Sequence, residues 1–189
     1  MKLTKLITTL FATILMSGML HASQYEVDIS HSSVGFKIKH LMISNVKGNF
    51  TKFTGTYELD KGLLKSLEGT IEASSIDTGI EKRDNHLRSA DFFEVAKYPA
   101  ITFKMLSYKE GMLTGELTIH GVTQTVTLET EVSGTIKDPW GNVRSSISLN
   151  GEIKRSDYDL KWNQALEAGG VVVGDEVKLS IELEGIAKK

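Results

Sequence analysis

The 189-residue sequence contains no cysteine and only two prolines. The absence of cysteine excludes disulfide bonds, thiolate metal ligands and a cysteine nucleophile. Pro99 directly precedes a segment that alternates apolar and polar residues, and Pro139 lies among turn-forming residues. Neither proline therefore removes a hydrogen bond from the interior of a predicted strand. The fold must be held together by its hydrophobic core and by backbone hydrogen bonds.

The sequence also lacks an excess of positive charge. It has 22 Lys and Arg residues against 24 Asp and Glu residues, which gives a formal net charge of −2. Binding to the phosphate backbone of nucleic acids requires an excess of basic side chains. We therefore expect no nucleic-acid partner.

One long apolar run, LITTLFATILMSGML, lies close to the N-terminus. Lys2 and Lys5 precede it and the small residue Ala22 follows it, which is the pattern of a secretory signal peptide. The run is shorter than the ~20 apolar residues that a membrane-spanning helix needs, and a retained N-terminal anchor is the alternative. We expect a signal peptide over residues 1–22, one domain over residues 23–189, a periplasmic or secreted location, and no stable membrane anchor after processing.

From the start of the predicted domain onward, the dominant hydrophobic period is two, which places alternate side chains on one face of a β-strand. Val34, Phe36 and Ile38, for example, alternate with other residues. About eight such segments are joined by short turns rich in Gly, Asp and Asn, as in antiparallel sheets. The sheet must cover its apolar face by pairing with a second sheet or by closing on itself, and long strands in hairpin order favour closure. We predict an all-β fold, a closed antiparallel β-barrel of about eight long strands.

Six glycines lie in phase with the apolar residues of these strands and are expected to face the interior: Gly55, Gly69, Gly115, Gly134, Gly151 and Gly185. One interpretation is that they are bends, because closing a barrel requires glycine kinks and bulges. The other is that the missing side chains leave unfilled volume, which would suit an apolar ligand. The sequence leaves both interpretations open.

The segment EKRDNHLRSADFF, residues 81–93, breaks the two-residue period. Its polar residues recur at helical spacings, as do Asp84 and Arg88, which predicts a short helical insertion near 81–93. Such insertions sit at the end of a barrel. Leu87, Phe92 and Phe93 would then plug or line the mouth of the barrel.

The polar residues of this segment are also candidates for chemistry. Asp84 and His86 would form a general acid–base pair if the fold pushed their pKa values apart. No G-x-S-x-G motif accompanies them. We therefore expect no catalytic residue and interpret the segment as a solvated or ion-paired cap. The alternative is a periplasmic enzyme that acts on a lipid or pyrophosphate head group through residues 83–88.

The histidines do not predict a metal site. His31, His40, His86 and His120 are scattered, without the H-E-x-x-H or H-x-H spacing of metal ligands. Histidines at strand ends that cap turns or meet solvent explain the same pattern. We expect neither a metal ion nor another cofactor.

The connection before the last predicted strand begins with RSDYDLKWN, residues 155–163, and ends with EAGGVVVGD. Its glycines do not follow a strand and open a helix, so they do not predict a phosphate-binding loop. We predict a mobile lid over one end of the barrel. Trp162 would supply apolar cover there or pack beneath the loop.

Taken together, these segments resemble the YceI-like family of exported polyisoprenoid-binding proteins. The resemblance rests on YEVDISHSSVGFKIKH, GNFTKFTG, SSIDTGIEKRDNHLRSADFFEVAKYPAITFK, GELTIHGVTQTVTL, IKRSDY and VGDEVKLSIELE, and it covers essentially all of residues 23–189. The long central segment and LTIHGVT are its most specific parts. The sequence departs from the family pattern at Tyr25, where tryptophan is usual.

The resemblance implies a lipocalin-like barrel whose pore holds a long-chain isoprenoid or another amphiphilic lipid for sequestration, transport or storage, without enzymatic activity. It also implies a homodimer, which family members often form. The residues expected to line the pore are Phe36, Ile38, Phe53, Ile71, Phe92, Phe93, Ile101, Phe103, Leu117, Ile119, Val132, Leu149 and Ile181. The candidates for contacts to a lipid head group, or for holding the cap in place, are Arg83, Asp84, His86 and Arg155. A barrel packed solid, which serves as an interaction protein, is a further alternative.

Overall fold

The computed structural model describes residues 22–167 and 169–188. The predicted signal peptide, residues 1–22, therefore lies outside the described residues except for its last position. The strands are β1 (Ser23–Val27), β2 (Ser33–His40), β3 (Ser44–Phe50), β4 (Phe53–Asp60), β5 (Leu63–Glu72), β6 (Ile76–Asp77), β7 (Ala100–Lys109), β8 (Met112–Ile119), β9 (Val122–Val132), β10 (Ile136–Lys137), β11 (Val143–Lys154) and β12 (Val173–Ala187). The helix α1 (Glu81–Arg88) lies between β6 and β7. None of the helices in the described part of the chain is long and apolar enough to cross a membrane.

The sheet closes into a ring in which every neighbouring pair of strands is antiparallel. The order around the ring is β1, β4, β5, β7, β8, β9, β11 and β12, and β12 pairs again with β1. At one end of the barrel, β2 and β3 extend the wall, because β2 pairs with both β12 and β3. The predicted closed antiparallel barrel of eight strands is confirmed.

The predicted helical insertion is also confirmed, although the α-helix is shorter than the segment that breaks the strand pattern. It ends at Arg88, and the residues that follow form turns. The backbone N–H of Phe93 donates to the carbonyl of Leu87 at 3.0 Å, and that of Val95 donates to the carbonyl of Arg88 at 3.2 Å. These bonds satisfy carbonyls that the end of a helix leaves without an intrahelical partner, so the turns fold back against α1.

The hydrophobic core divides along the barrel axis into two clusters. The first, called the packed end, contains Tyr25, Tyr57, Leu59, Leu64, Leu67, Leu113, Leu128, Ile147, Leu149 and Leu183. The second, called the cap end because it lies at α1, contains Val34, Phe50, Ala73, Ile76, Ile101, Leu117, Ile119, Tyr158 and Leu160. Phe53, Phe103 and Ile181 pack against both clusters and separate the two regions.

Aromatic rings fill the packed end. Tyr25 and Tyr57 stack with their ring centroids 5.0 Å apart and their planes 7° from parallel. The Tyr57 hydroxyl donates a hydrogen bond of 2.7 Å to the carbonyl of Ser145, across the interior of the barrel. Burial raises the pKa of Tyr57 to about 12, so this hydroxyl keeps its proton. The interior at this end is a packed core, and the buried Tyr57 hydroxyl is satisfied by the opposite wall.

Three of the six glycines expected to face the interior make room for neighbouring side chains, whereas Gly134 is exposed and lies outside the strands. A Cβ atom on Gly185 would lie 2.6 Å from the Tyr57 ring, and one on Gly151 would lie 2.5 Å from Leu128 Cδ2. At Gly115 the same space is taken by the ring of Phe103. The interpretation that these three glycines leave open volume is therefore wrong, because larger side chains from adjacent strands occupy the space.

Candidate functional site

A cavity of about 270 Å³ lies inside the cap end of the barrel. Its walls come from β2 and β3, from the last residues of β11 and from the first half of β12. Helix α1, the turns after it, and the connection between β11 and β12 cover its end. The strands reach this end because they are long, while the packed cluster fills the interior below it. The cavity is therefore a pocket closed at the bottom by the core.

Six of the residues predicted to line a pore also line this cavity: Phe36, Ile38, Phe92, Phe93, Ile101 and Ile119. The other seven are not in its lining. Phe53, Ile71, Phe103, Leu117 and Ile181 lie in or against the cap-end cluster, in the layer that surrounds the cavity. Val132 and Leu149 belong to the packed end, Leu149 within the cluster and Val132 against it. Strand phase puts the eleven residues that lie on strands in the interior but does not fix their depth along the barrel axis.

Leu87 and Trp162, which the sequence placed at the mouth of the barrel, both line the cavity. Several further apolar lining residues were not among the predicted site residues: Val46, Phe50, Ile76, Ile153, Leu160, Val172, Val173, Val177 and Leu179. Those on strands share the inward phase that the sequence pattern shows. The run Val171–Val173 gives a separate signal, since three consecutive valines stand out in an otherwise polar connection. That run returns the connection to the barrel and places two of its valines against the cavity.

Three aromatic rings join the helical cap to the connection between β11 and β12. His86 lies edge-on to both Phe92 and Trp162, with centroid distances of 5.1 and 5.0 Å, and Phe92 lies 5.2 Å from Trp162. This ring cluster lies in the cavity lining. Each aromatic pair contributes about 0.5–1.5 kcal/mol beyond the area it buries. Trp162 thus supplies apolar cover by packing against the cap.

Arg83 and Asp84 are held by the segment that leads into α1. The backbone N–H of Thr78 donates to the Asp84 carboxylate at 3.0 Å. Arg83 donates from Nε to the Thr78 hydroxyl oxygen at 2.6 Å and from Nη2 to the Thr78 carbonyl at 2.7 Å. Asp84 is buried and is not in the cavity lining. The two residues tie the start of α1 to Thr78, the residue that follows β6.

The structure does not bring Asp84 and His86 together as an acid–base pair. His86 Nε2 lies 2.9 Å from a carboxylate oxygen of Asp91, while Asp84 bonds to Thr78. The predicted helical pair of Asp84 and Arg88 is also absent from the hydrogen bonds of the described residues. Arg88 donates instead to the carbonyls of Ser74 and Ile76, at 2.7 Å each. The charged residues of this segment hold the cap in place.

Arg155 and Tyr158 occupy the 3₁₀ turn that follows β11, and both line the cavity. Arg155 is 7% exposed and donates from Nε to the carbonyl of Gly174 at 2.8 Å and from Nη1 to the carbonyl of Leu160 at 2.5 Å. Burial lowers the pKa of Arg155 and raises that of Tyr158 to about 12. The Tyr158 hydroxyl is buried without a hydrogen-bond partner among the described residues.

An ion-pair network lies near the packed end. Asp28, His31 and Glu184 bring possible metal-ligand atoms within 4.8 Å of one another. The guanidinium of Arg144, however, lies 2.9 Å from Asp28 Oδ2, 2.6 Å from Glu184 Oε1 and 2.8 Å from Asp138 Oδ2. Because the guanidinium already occupies oxygens of all three carboxylates, the arrangement suits an ion-pair network better than a metal site.

An eight-stranded antiparallel barrel with an apolar pocket at one end belongs to the class of barrels that can enclose one small ligand. Residues 25–185 match the family model of the YceI-like domain. The chain belongs to the YceI-like family.

Curated relatives and solved structures agree with this membership. The UPF0312 protein SA2479 of Staphylococcus aureus strain N315 is 41% identical over 165 residues, which cover 86% of this chain and 96% of the relative. A Campylobacter jejuni YceI protein has a similar crystal structure, with 40% identity and a TM-score of 0.69 over 86% of this chain and 96% of the other. Burkholderia cenocepacia BcnA gives a TM-score of 0.70 at 25% identity, over 84% and 98%. A polyisoprenoid binding domain from Saccharophagus degradans shares the fold, with 19% identity and a TM-score of 0.65 over 87% and 98%.

Proposed function

We propose that this protein binds a long-chain isoprenoid or a similar amphiphilic lipid, with the apolar chain in the cap-end cavity, and that it sequesters, transports or stores the lipid without converting it. The observation that carries the proposal is the apolar cavity between the barrel wall and the cap. A solved domain with the same fold is described as polyisoprenoid-binding. The separation of Asp84 from His86 favours a binding protein over an enzyme.

The size of the cavity supports binding of an apolar chain. Its volume of about 270 Å³ exceeds the ~150 Å³ of an engineered apolar cavity that binds benzene. Each buried methylene contributes about 0.8 kcal/mol, so ten contribute about 8 kcal/mol. This gross gain is comparable with the cost of association, about 4–15 kcal/mol. A chain segment of about ten carbons therefore supplies much of the required free energy, and a longer chain extends past the cap.

We also propose that the protein acts outside the cytoplasm, in the periplasm or after secretion, without a stable membrane anchor once processed. The support is the sequence pattern of residues 1–22, in which two lysines precede a short apolar run. A homodimer remains a prediction from the family resemblance. Sedimentation equilibrium of the processed chain would test it, with a mass of one chain contradicting it.

The binding proposal is tested by isolating the protein gently from its own host and identifying organic-solvent extracts by mass spectrometry. We expect one class of long-chain lipid in the extract, and uptake of the same class by lipid-free protein in solution. An extract without lipid, combined with no uptake of long-chain lipids, would refute the proposal.

A pair of matched variants locates the site. Ile38→Trp adds volume inside the cavity, whereas Leu106→Trp adds the same side chain at an exposed position. We expect at least about a tenfold loss of lipid affinity in the first variant, because the filled cavity can no longer accept the chain. The second variant should bind like the unaltered protein. Equal affinities in all three proteins would place the lipid elsewhere.

A further inference from the structure

The lining of the cavity contains cations but no acidic residue. Lys39, Arg83 and Arg155 are among its lining residues, and no Asp or Glu is. None of the three has a carboxylate oxygen within 4.0 Å in the part of the chain that the structure describes. This excess of positive charge is local, since the whole sequence carries a formal charge of −2.

Arg155 is the most buried of these cations. Its Nε and Nη1 donate to two backbone carbonyls, while Nη2 makes no hydrogen bond to the described residues. The oxygens of Asp175 accept instead from the backbone N–H and the hydroxyl of Ser156, at 3.0 and 2.8 Å. A buried charge is costly unless an opposite charge or a full set of hydrogen bonds compensates it. The charge of the nearby Asp175 partly compensates that of Arg155, but Nη2 makes no hydrogen bond to the described residues and the side chain lines the cavity.

Tyr158 adds a second donor beside Arg155. The two residues are three positions apart on one 3₁₀ turn, where side chains at this spacing eclipse each other. Tyr158 is 1% exposed and its hydroxyl has no partner among the described residues. Leaving a buried hydroxyl unpaired is unfavourable. Two donors without acceptors thus lie on the same side of one turn, and both residues line the cavity.

Arg83 and His86 are weaker candidates for the same role. Arg83 is only half-buried, and two of its nitrogens already donate to Thr78. His86 is joined to the Asp91 carboxylate. Both side chains are partly exposed, unlike that of Arg155, so solvent has access to their remaining donors.

We propose that the lipid of this cavity carries an anionic head group, a phosphate or a carboxylate, whose oxygens accept hydrogen bonds from Arg155 Nη2 and the Tyr158 hydroxyl. The apolar chain then lies against the surrounding valine, isoleucine and phenylalanine side chains. This inference rests on the proposed lipid binding and adds the chemistry of the head group and its place in the cavity. Hydrogen bonds to a charged group are stronger than neutral ones, so the head group confers selectivity among lipids with the same chain.

The test compares three probes by titration calorimetry: farnesyl phosphate, farnesol and inorganic phosphate. The first two share one chain and differ in charge, and the third has the charge without the chain. We expect farnesyl phosphate to bind at least about tenfold more tightly than farnesol, as one charge-assisted hydrogen bond implies. Palmitate and hexadecanol repeat the comparison for a carboxylate. Inorganic phosphate alone should not compete at millimolar concentration.

Two variants of the 3₁₀ turn test whether Arg155 and Tyr158 cause the preference for farnesyl phosphate over farnesol. Tyr158→Phe should reduce the preference for farnesyl phosphate by about tenfold and leave the affinity for farnesol unchanged. Arg155→Gln should abolish the preference. Lys154→Gln, the control, removes a neighbouring exposed cation that is not in the cavity lining and should retain the preference. Because Arg155 also holds the carbonyls of Gly174 and Leu160, its replacement lowers stability. Tyr158→Phe removes only an unpaired hydroxyl and decides the question if Arg155→Gln does not fold.

The outcomes separate this inference from the binding proposal. Equal affinity for farnesyl phosphate and farnesol overturns the head-group assignment and leaves lipid binding intact. Tight binding of inorganic phosphate without a chain would show a site for free phosphate and also overturn it. An unchanged preference in Tyr158→Phe and Arg155→Gln would place the head group elsewhere. No binding of any lipid overturns both proposals.

Discussion

The packed end and the cap end of this barrel are built by the same strands, yet only one of them is hollow. Ile147 and Ile153 lie on the same face of β11, six positions apart. Ile147 is fully buried in the packed cluster, whereas Ile153 lines the cavity. The difference arises across the interior: the Tyr57 ring fills the space at one end, and a cap of loops and one short helix closes the other. Whether an inward-facing apolar residue belongs to the core or to a binding surface therefore depends on which side chains face it across the barrel.

Glycines show the same difference between the two ends. The Tyr57 ring lies against Gly185. The same ring stacks on Tyr25, and its hydroxyl donates to the carbonyl of Ser145. Gly48 accommodates the ring of Phe36, but that ring borders the cavity and has free space beside it. A ring enclosed on all sides is expected to resist displacement, whereas a ring beside a cavity can move.

The largest predicted effect is a difference in stability between a variant at the packed end and a variant at the cap end. Ile147→Ala should lower the free energy of unfolding by about 3–4 kcal/mol, because it removes buried methylenes and leaves a cavity in a close-packed region. Ile153→Ala should cost about 1 kcal/mol or less, since its side chain already borders open space, but it should weaken lipid binding. Urea unfolding measures the first quantity and lipid titration the second. Equal losses of stability would mean that the two ends are packed alike.

The glycine comparison gives an intermediate effect. Gly185→Ala should cost about 2 kcal/mol, because the new Cβ would lie 2.6 Å from a Tyr57 ring that cannot yield. In Gly48→Ala the Cβ would lie 2.5 Å from Phe36 Cζ, a ring that can shift into the cavity, and 2.8 Å from Thr78 Cγ2. Because one of these two neighbours can yield, that variant should lose less stability than Gly185→Ala, about 1 kcal/mol, but bind lipid more weakly. Unaltered lipid affinity in Gly48→Ala would contradict the assigned position of the chain.

The smallest predicted effect concerns acid stability at the packed end. The hydrogen bond from Arg144 is the main cause that lowers the pKa of Asp28 from 3.8 to about 2, and Arg144 also lowers the pKa of Asp138. A carboxylate with a lowered pKa stabilises the fold above its ordinary pKa and loses this contribution as the pH falls through the folded-state value. The free energy of unfolding should thus decline between about pH 4 and pH 2. Arg144→Met should flatten this decline, and an unchanged slope would exclude Arg144 as the cause.

The barrel and the helical insertion could be predicted because both depend on local patterns. The two-residue period of Phe36 and Ile38 identifies an inward face, and the helical spacing over residues 81–93 identifies the cap. Turn residues between strands then fix the antiparallel order. These features can be predicted because the periodicity of a strand or a helix depends only on residues that are close together in the sequence.

The extent of the cavity could not be predicted, because it depends on contacts between distant segments. Leu149 has the same inward phase as Phe36, yet it lies in the packed core. Similarly, the contact of Trp162 with His86 joins two segments that no periodicity relates. Depth along the barrel axis and contacts across its end emerge only when the strands are paired in register.

The two tryptophans of the sequence offer a direct test, because only one of them lies at the cavity. Trp162 lines the cavity, whereas Trp140 is 81% exposed in the turn between β10 and β11. The variant Trp140→Phe reports on the cavity, and Trp162→Phe, which keeps only the exposed Trp140, is the control. Lipid uptake by each variant is verified separately by mass spectrometry.

Titration of both variants with farnesyl phosphate, followed by tryptophan fluorescence, tests the central claim that the lipid chain occupies the cap end. The account predicts a saturable shift of the Trp140→Phe spectrum to shorter wavelength, as the chain excludes water from Trp162, and no change in Trp162→Phe. A shift confined to the Trp162→Phe variant, or bound lipid without a response from Trp162, would contradict it.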